Sequence, residues 1–139
     1  MGYTTKFKGE LKIKPSPSNE IIKVVNNISK TRHDNEKYPG IWCQWIINSN
    51  GNLEWNGAEK FYNYIEWLQY LIQNVFEPKG YVIEGRVRYR GERFEDIGVI
   101  YVKDNVVKNI CGLYEISDDE IIVAVTMNDS GKMEMEILT

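Results

Sequence analysis

Hydrophobic and polar positions alternate from residue 3 to residue 14, with Phe7, Leu11 and Ile13 on one side and Lys6, Lys8, Glu10, Lys12 and Lys14 on the other. That period of two predicts a strand buried on one face. Pro15-Ser16-Pro17-Ser18 breaks it, and Ser16 or Ser18 can cap a helix running to about Lys30 with Ile21, Val24, Val25 and Ile28 as its buried stripe. Residues 31 to 40 are polar and turn-rich and read as a loop. Residues 41 to 47 are apolar and β-branched, Asn48-Ser49-Asn50-Gly51 supplies a reversal, and Leu53-Glu54-Trp55 returns as a short strand. Asn56 and Glu59 have capping-box spacing. A second helix over residues 57 to 76 is therefore expected, with Phe61, Tyr64, Ile65, Leu68, Leu71, Ile72 and Val75 as its core stripe, until Glu77-Pro78 stops it. Strands follow at residues 81 to 90, 97 to 103, 106 to 110, 121 to 127 and 133 to 138.

The first six elements have the ferredoxin-like order βαββαβ, extended by a C-terminal β meander. The fold class is thus α+β, an antiparallel or mixed sheet packed against two helices. A simple antiparallel meander backed by two helices is the alternative, with a different strand at its centre. At 139 residues the chain has the length of a single α+β domain over residues 1 to 139. Folding at that size buries roughly two-thirds of the unfolded surface, enough for one core. With no apolar run of about 18 residues and a strand pattern directly after the N-terminus, the expectation is an intracellular protein with no membrane association.

Charge divides the chain. Residues 1 to 40 carry eight Lys or Arg against four Asp or Glu, whereas residues 41 to 139 carry nine against sixteen. Beyond Cys111 seven acidic residues, among them Asp118, Asp119 and Glu120, face only Lys132. General DNA binding is disfavoured by that balance, which leaves room for a local basic groove and suits a basic protein partner.

Candidate chemistry is sparse. Cys43, Cys111 and His33 stand far apart, so no metal site is expected, and no phosphate loop or nucleophile elbow is present. Cys43 reads as a core thiol and His33 as a solvated loop residue. Asp118 and Asp119 read as a turn rather than an acid–base pair. No enzyme and no cofactor are expected. Two surface features stand out. Arg86, Arg88 and Arg90 leave one face of a strand at i, i+2 and i+4 and can hold phosphates or carboxylates, unless Glu84, Glu92, Glu95 or Asp96 pairs with them across strands. Trp67, Tyr70 and Asn74, with Asn63, form a strip beside the second helix's core stripe, with the composition of an interface hot spot. A second layer or a second copy of the chain is the other explanation, which makes a homo-oligomer or a structural assembly protein a third class. Trp45 shares a face with Cys43 and Ile47, and Trp42 lies on the opposite one. An RNA-recognition module is disfavoured because residues 93 to 102 match its core pattern loosely and in the wrong strand.

Pro39-Gly40-Ile41-Trp42-Cys43-Gln44-Trp45, then Leu53-Glu54-Trp55-Asn56-Gly57-Ala58-Glu59-Lys60-Phe61-Tyr62-Asn63-Tyr64-Ile65-Glu66-Trp67-Leu68-Gln69-Tyr70-Leu71-Ile72, resembles a family of small uncharacterised phage and prophage proteins. The likeness runs through residues 80 to 87 and 98 to 107. Relatives have a longer segment in place of residues 33 to 37 and tryptophan where Tyr89 stands. The resemblance implies a viral accessory protein in the bacterial cytoplasm, acting without catalysis as an antagonist of a host defence complex of the anti-CRISPR type. Its contact surface would be Asp118, Asp119 and Glu120 or the Trp67, Tyr70 and Asn74 strip. The alternative is a small-ligand or nucleotide-binding module in which Arg86, Arg88 and Arg90 receive phosphates and an aromatic ring stacks on the base.

Overall fold

A computed structural model describes residues 3–93, 96–111, 113–116, 122–127 and 133–138, the last three segments as backbone strands. In chain order these are β1 (Lys6–Lys8), β2 (Leu11–Lys14), α1 (Asn19–Lys30), β3 (Trp45–Ile47), β4 (Leu53–Trp55), α2 (Tyr64–Leu71), β5 (Val82–Arg90), β6 (Ile97–Lys103), β7 (Val106–Cys111), β8 (Leu113–Ile116), β9 (Ile122–Met127) and β10 (Met133–Leu138).

An antiparallel sheet runs β3-β4-β2-β5-β6-β7, with β1 also paired to β5. The N-terminal strand thus sits between β4 and β5, which a sequential meander would not do, and the architecture is α+β with two helices among the described residues. β8, β9 and β10 form a second antiparallel sheet, with β8 against β6 and β9 against β7. The sequence pattern missed β8.

The expected strand over residues 3 to 14 is interrupted, not displaced. β1 and β2 pair with β5 in the same phase, Lys8 opposite Arg88 and Leu11 opposite Gly85. Between them Gly9 takes φ 122°, where a Cβ would lie 2.7 Å from the Arg86 carbonyl oxygen. Only glycine lets the two backbones approach so closely.

One face of the sheet and the helices enclose the core. Leu11, Ile13, Trp45, Ile47, Leu53, Ile83, Val87 and Ile100 are buried against Ile21 and Val25 of α1 and against Leu68, Leu71, Ile72 and Phe76. Phe7 is an aromatic hub, its ring 4.9 Å from Tyr64, 5.3 Å from Trp55 and 5.7 Å from Trp45. α1 starts where the cap predicts, Ser18 Oγ accepting from the Ile21 N–H at 3.2 Å. Val24 departs from its stripe and is exposed.

The second helix differs from expectation. Instead of starting after Asn56 it starts at Tyr64, and after Leu71 it widens into a π turn over Ile72–Phe76 and a 3-10 turn at Glu77–Lys79. Asn56 Oδ1 accepts from Ala58 N, two residues on, closing a turn rather than capping a helix. Gly57, Lys60 and Asn63 then adopt positive φ, and the Glu59 carbonyl accepts from Gln44 Nε2, so residues 56 to 63 cross β3 and β4 as an irregular strap. No helix among the described residues is long and apolar enough to cross a membrane.

Candidate functional site

Alternation that sends Phe7, Leu11, Ile83, Val87 and Tyr89 into the core sends their neighbours to the opposite, outer face. There the register sets Lys6 opposite Arg90 and Lys8 opposite Arg88, with Lys12 opposite Glu84. Side chains directly opposed on one sheet face stand about 4.5–5.5 Å apart at Cβ, and like charges in that position repel. Lys6, Lys8, Arg88 and Arg90 are exposed, and Arg86 is half-buried. Along β5 the arginines repeat at about 6.7 Å.

The nearby carboxylates have contacts other than Lys6, Lys8, Arg88 and Arg90. Glu84 pairs with Lys14, whose hydrogen bond holds the Glu84 carboxyl below the usual carboxylate range. Glu10 accepts from Asn48 Nδ2, Glu92 Oε1 from the Thr4 N–H at 3.1 Å, and Asp96 Oδ2 from the Tyr3 hydroxyl at 2.6 Å. Glu95 lies outside the described residues. Among the described residues no carboxylate lies within ion-pair distance of Lys6, Lys8, Arg88 or Arg90. A depression of about 300 Å³ lined by Lys12, Glu84, Arg86, Tyr101 and Lys103 opens on the same face.

A cleft of about 400 Å³ lies where the strap meets the segment before β3, lined by Asn35, Gly40, Ile41, Trp42, Gln44, Glu59, Lys60, Tyr62 and Asn63. Trp42 and Tyr62 are 47% and 52% exposed. Its frame is rigidly tied. Buried Gln44 donates to the Glu59 carbonyl at 2.9 Å and accepts from Trp55 Nε1 at 3.1 Å, and Asn63 Nδ2 donates to the Pro39 carbonyl at 2.7 Å. Lys60 and Asn63 hold left-handed backbone at φ 60° and 58°. Such residues cost roughly 1–3 kcal/mol each and persist only where surrounding contacts over-determine them. At Gly40 an added Cβ would stand 3.0 Å from Trp67 Nε1, a buried donor with no acceptor among the described residues. The sequence missed this cleft as a unit, although the placing of Trp42 opposite the core face was its one visible signal.

Of the residues proposed for partner binding, Trp67 needs correction. It is fully buried, because the residue 31 to 40 loop folds back through the His33 N–H to Ile41 carbonyl bond of 2.8 Å and lays His33 and Tyr38 over the indole at 5.2 and 6.2 Å. His33 is accordingly half-buried rather than fully exposed, with Nε2 2.9 Å from the Ile28 carbonyl. Tyr70 is half-buried against Tyr38 at 5.6 Å, and burial raises its hydroxyl pKa. Asn74 is exposed, but its Nδ2 is committed to the Tyr70 carbonyl at 2.9 Å. Asp118, Asp119 and Glu120 lie outside the described residues. Arg86, Arg88 and Arg90 do share one face.

Burial perturbs three of the remaining ionisable groups. Burial pushes the Cys43 thiol up to about 12, far from a thiolate at neutral pH. Tyr64 is pushed up to about 12 by burial first and then by Asp96, and Tyr89 is also raised, by burial and then by Cys111, while its hydroxyl donates to Asn109 Oδ1 at 2.8 Å. Among the described residues no group of His, Cys, Asp and Glu could hold a metal ion. Compared with known proteins, the chain matches no family model, no curated sequence and no solved structure.

Proposed function

We propose that the chain is a non-enzymatic binding protein that holds the phosphates of a single-stranded nucleic acid on the outer face of its sheet. One observation carries this reading: Lys6 faces Arg90 and Lys8 faces Arg88, exposed and without carboxylate partners among the described residues. Directly opposed like charges oppose folding, and a bound polyanion relieves them. Arginine's planar fork suits phosphate oxygens in bidentate contact. The net charge of −3 does not prevent this, since screening confines each exposed charge to roughly 10 Å at 0.1 M salt. A single strand fits better than a duplex because its bases are free to lie on aromatic surfaces. The reading replaces a contact through Trp67, which burial removes from the surface.

We also read the framework as ferredoxin-like. With β1 and β2 counted as one interrupted strand, the order across this half of the sheet is second, third, first, fourth, all neighbours antiparallel, which supports that reading.

Fluorescence anisotropy with a labelled single strand of about 20 nucleotides tests the function, since comparable sites cover about 4–16. Between about 50 and 200 mM salt, the logarithm of affinity is expected to fall with a slope of roughly −0.7 per phosphate neutralised. The double variant Arg88→Glu, Arg90→Glu is expected to lose most of the binding. Wild-type protein that stays unbound at the lower salt overturns the reading.

A further inference from the structure

A further arginine stands in the turn that follows Arg90. Three residues on, the Arg93 guanidinium stands 5.6 Å over the Tyr3 ring, and the Arg93 N–H donates to the Tyr3 hydroxyl at 3.0 Å. The Tyr3 N–H in turn donates to the Tyr62 hydroxyl oxygen at 3.3 Å, and Tyr62 is a wall of the 400 Å³ cleft that also contains Trp42. Arg93, Tyr3 and Tyr62 thus form a chain of contacts from the turn after β5 to the cleft that holds Trp42.

We infer that this cleft receives one base of the bound strand, stacked on Trp42 or Tyr62, while the adjoining phosphates lie on Arg88, Arg90 and Arg93. The inference rests on the nucleic-acid reading above and names what the strand does at the end of its track. Four features of the cleft carry it. Its volume lies within the range of sites that enclose small organic groups. Trp42 and Tyr62 are about half exposed although the chain has ample core to bury them, and a large exposed ring beside a cationic track is the arrangement on which bases stack. Asn63 spends its Nδ2 on Pro39, which leaves its Oδ1 as an acceptor for a polar edge. Finally, the walls are held in strained backbone at Lys60 and Asn63, so the cleft stands open without a ligand to organise it.

The test compares a labelled mixed-sequence single strand with inorganic polyphosphate, a polyanion without bases. Trp42→Ala and Tyr62→Ala are expected to weaken binding of the strand, at least one of them about ten-fold, the magnitude typical of losing one stacked base. Both variants should compete for polyphosphate as wild type does, and Trp42→Phe should stay within about two-fold because it keeps a ring. Both side chains are exposed, so unchanged thermal melting confirms that folding is intact. If both alanine variants bind the strand like wild type while Arg88→Glu with Arg90→Glu does not, the base site is wrong and the phosphate face stands. If wild type binds neither probe, both fall together.

Discussion

The two faces of β5 follow opposite rules within nine residues. Toward the helices, Ile83, Val87 and Tyr89 are buried and every neighbour agrees with them. Toward the outside, Arg88 and Arg90 stand opposite lysines of β1 that repel them, and Arg86 faces Tyr101 of β6. A face selected for stability alone would place Glu opposite Arg, as the Lys12 and Glu84 pair does two rungs away. The difference separates residues that hold the fold from residues held by it.

The inner face should break first and hardest. Trp45 is fully buried, packs on Phe7 and Phe61 at 5.7 and 5.4 Å, and donates its indole N–H to the Tyr64 carbonyl at 2.9 Å. Trp45→Ala leaves a cavity and an unpaired carbonyl and should cost about 3–5 kcal/mol, read as a lower urea midpoint with an unchanged slope. Next comes the break between β1 and β2. Gly9→Ala must place a Cβ 2.7 Å from the Arg86 carbonyl oxygen at φ 122°, and should cost roughly 1–3 kcal/mol in the same measurement.

Alkaline pH probes the inner face without mutation. Cys43 rises from 9.0 to about 12 on folding, so its neutral form is favoured in the core and the associated stability is fully present below pH 9. As pH climbs from 9 toward 12 the unfolded thiol ionises while the folded one does not, and that stability drains at about 1.4 kcal/mol per pH unit. Tyr64, raised from 10.0 to about 12, adds to the loss above pH 10. Urea midpoints of wild type should thus hold up to pH 9 and decline beyond it, and Cys43→Ala should begin its decline about one unit later, where Tyr64 takes over.

The same contrast explains what the sequence could and could not reveal. Period-two alternation in residues 6 to 14 and 83 to 90 is local, so both faces of β1, β2 and β5 were legible, including the shared face of the three arginines, whereas β6 buries Gly98, Val99 and Ile100 in succession and shows no such alternation. Which charge stands opposite which was not, because Lys8 and Arg88 meet through a register set eighty residues away by the strands between them. The second helix failed for a different reason. Asn56 and Glu59 satisfy the spacing of a cap, but the Trp55 indole takes the Ala58 carbonyl in a local hydrogen bond of 3.1 Å and Gln44 takes the Glu59 carbonyl from across the fold at 2.9 Å, and those outcompete the helix. The cleft inherits that failure, since its walls are the strap that the expected helix would have consumed. Trp67 looked exposed on the helical strip because nothing local announces that the polar loop before β3 folds over it.

The smallest expected effect discriminates best, because its sign differs from the others. Arg88→Glu turns the opposed Lys8 and Arg88 pair from repulsive to attractive. The exchange should raise stability by about 0.2–1 kcal/mol, seen as a slightly higher melting temperature that shrinks as salt screens the new pair. The same variant should bind the labelled single strand more weakly. Stability and binding would then move in opposite directions from one exposed side chain, as they must if the arginine row is retained against the preference of the fold. Arg88→Glu that destabilises the protein shows that the row supports the fold after all, and the contrast between the two faces of β5 disappears.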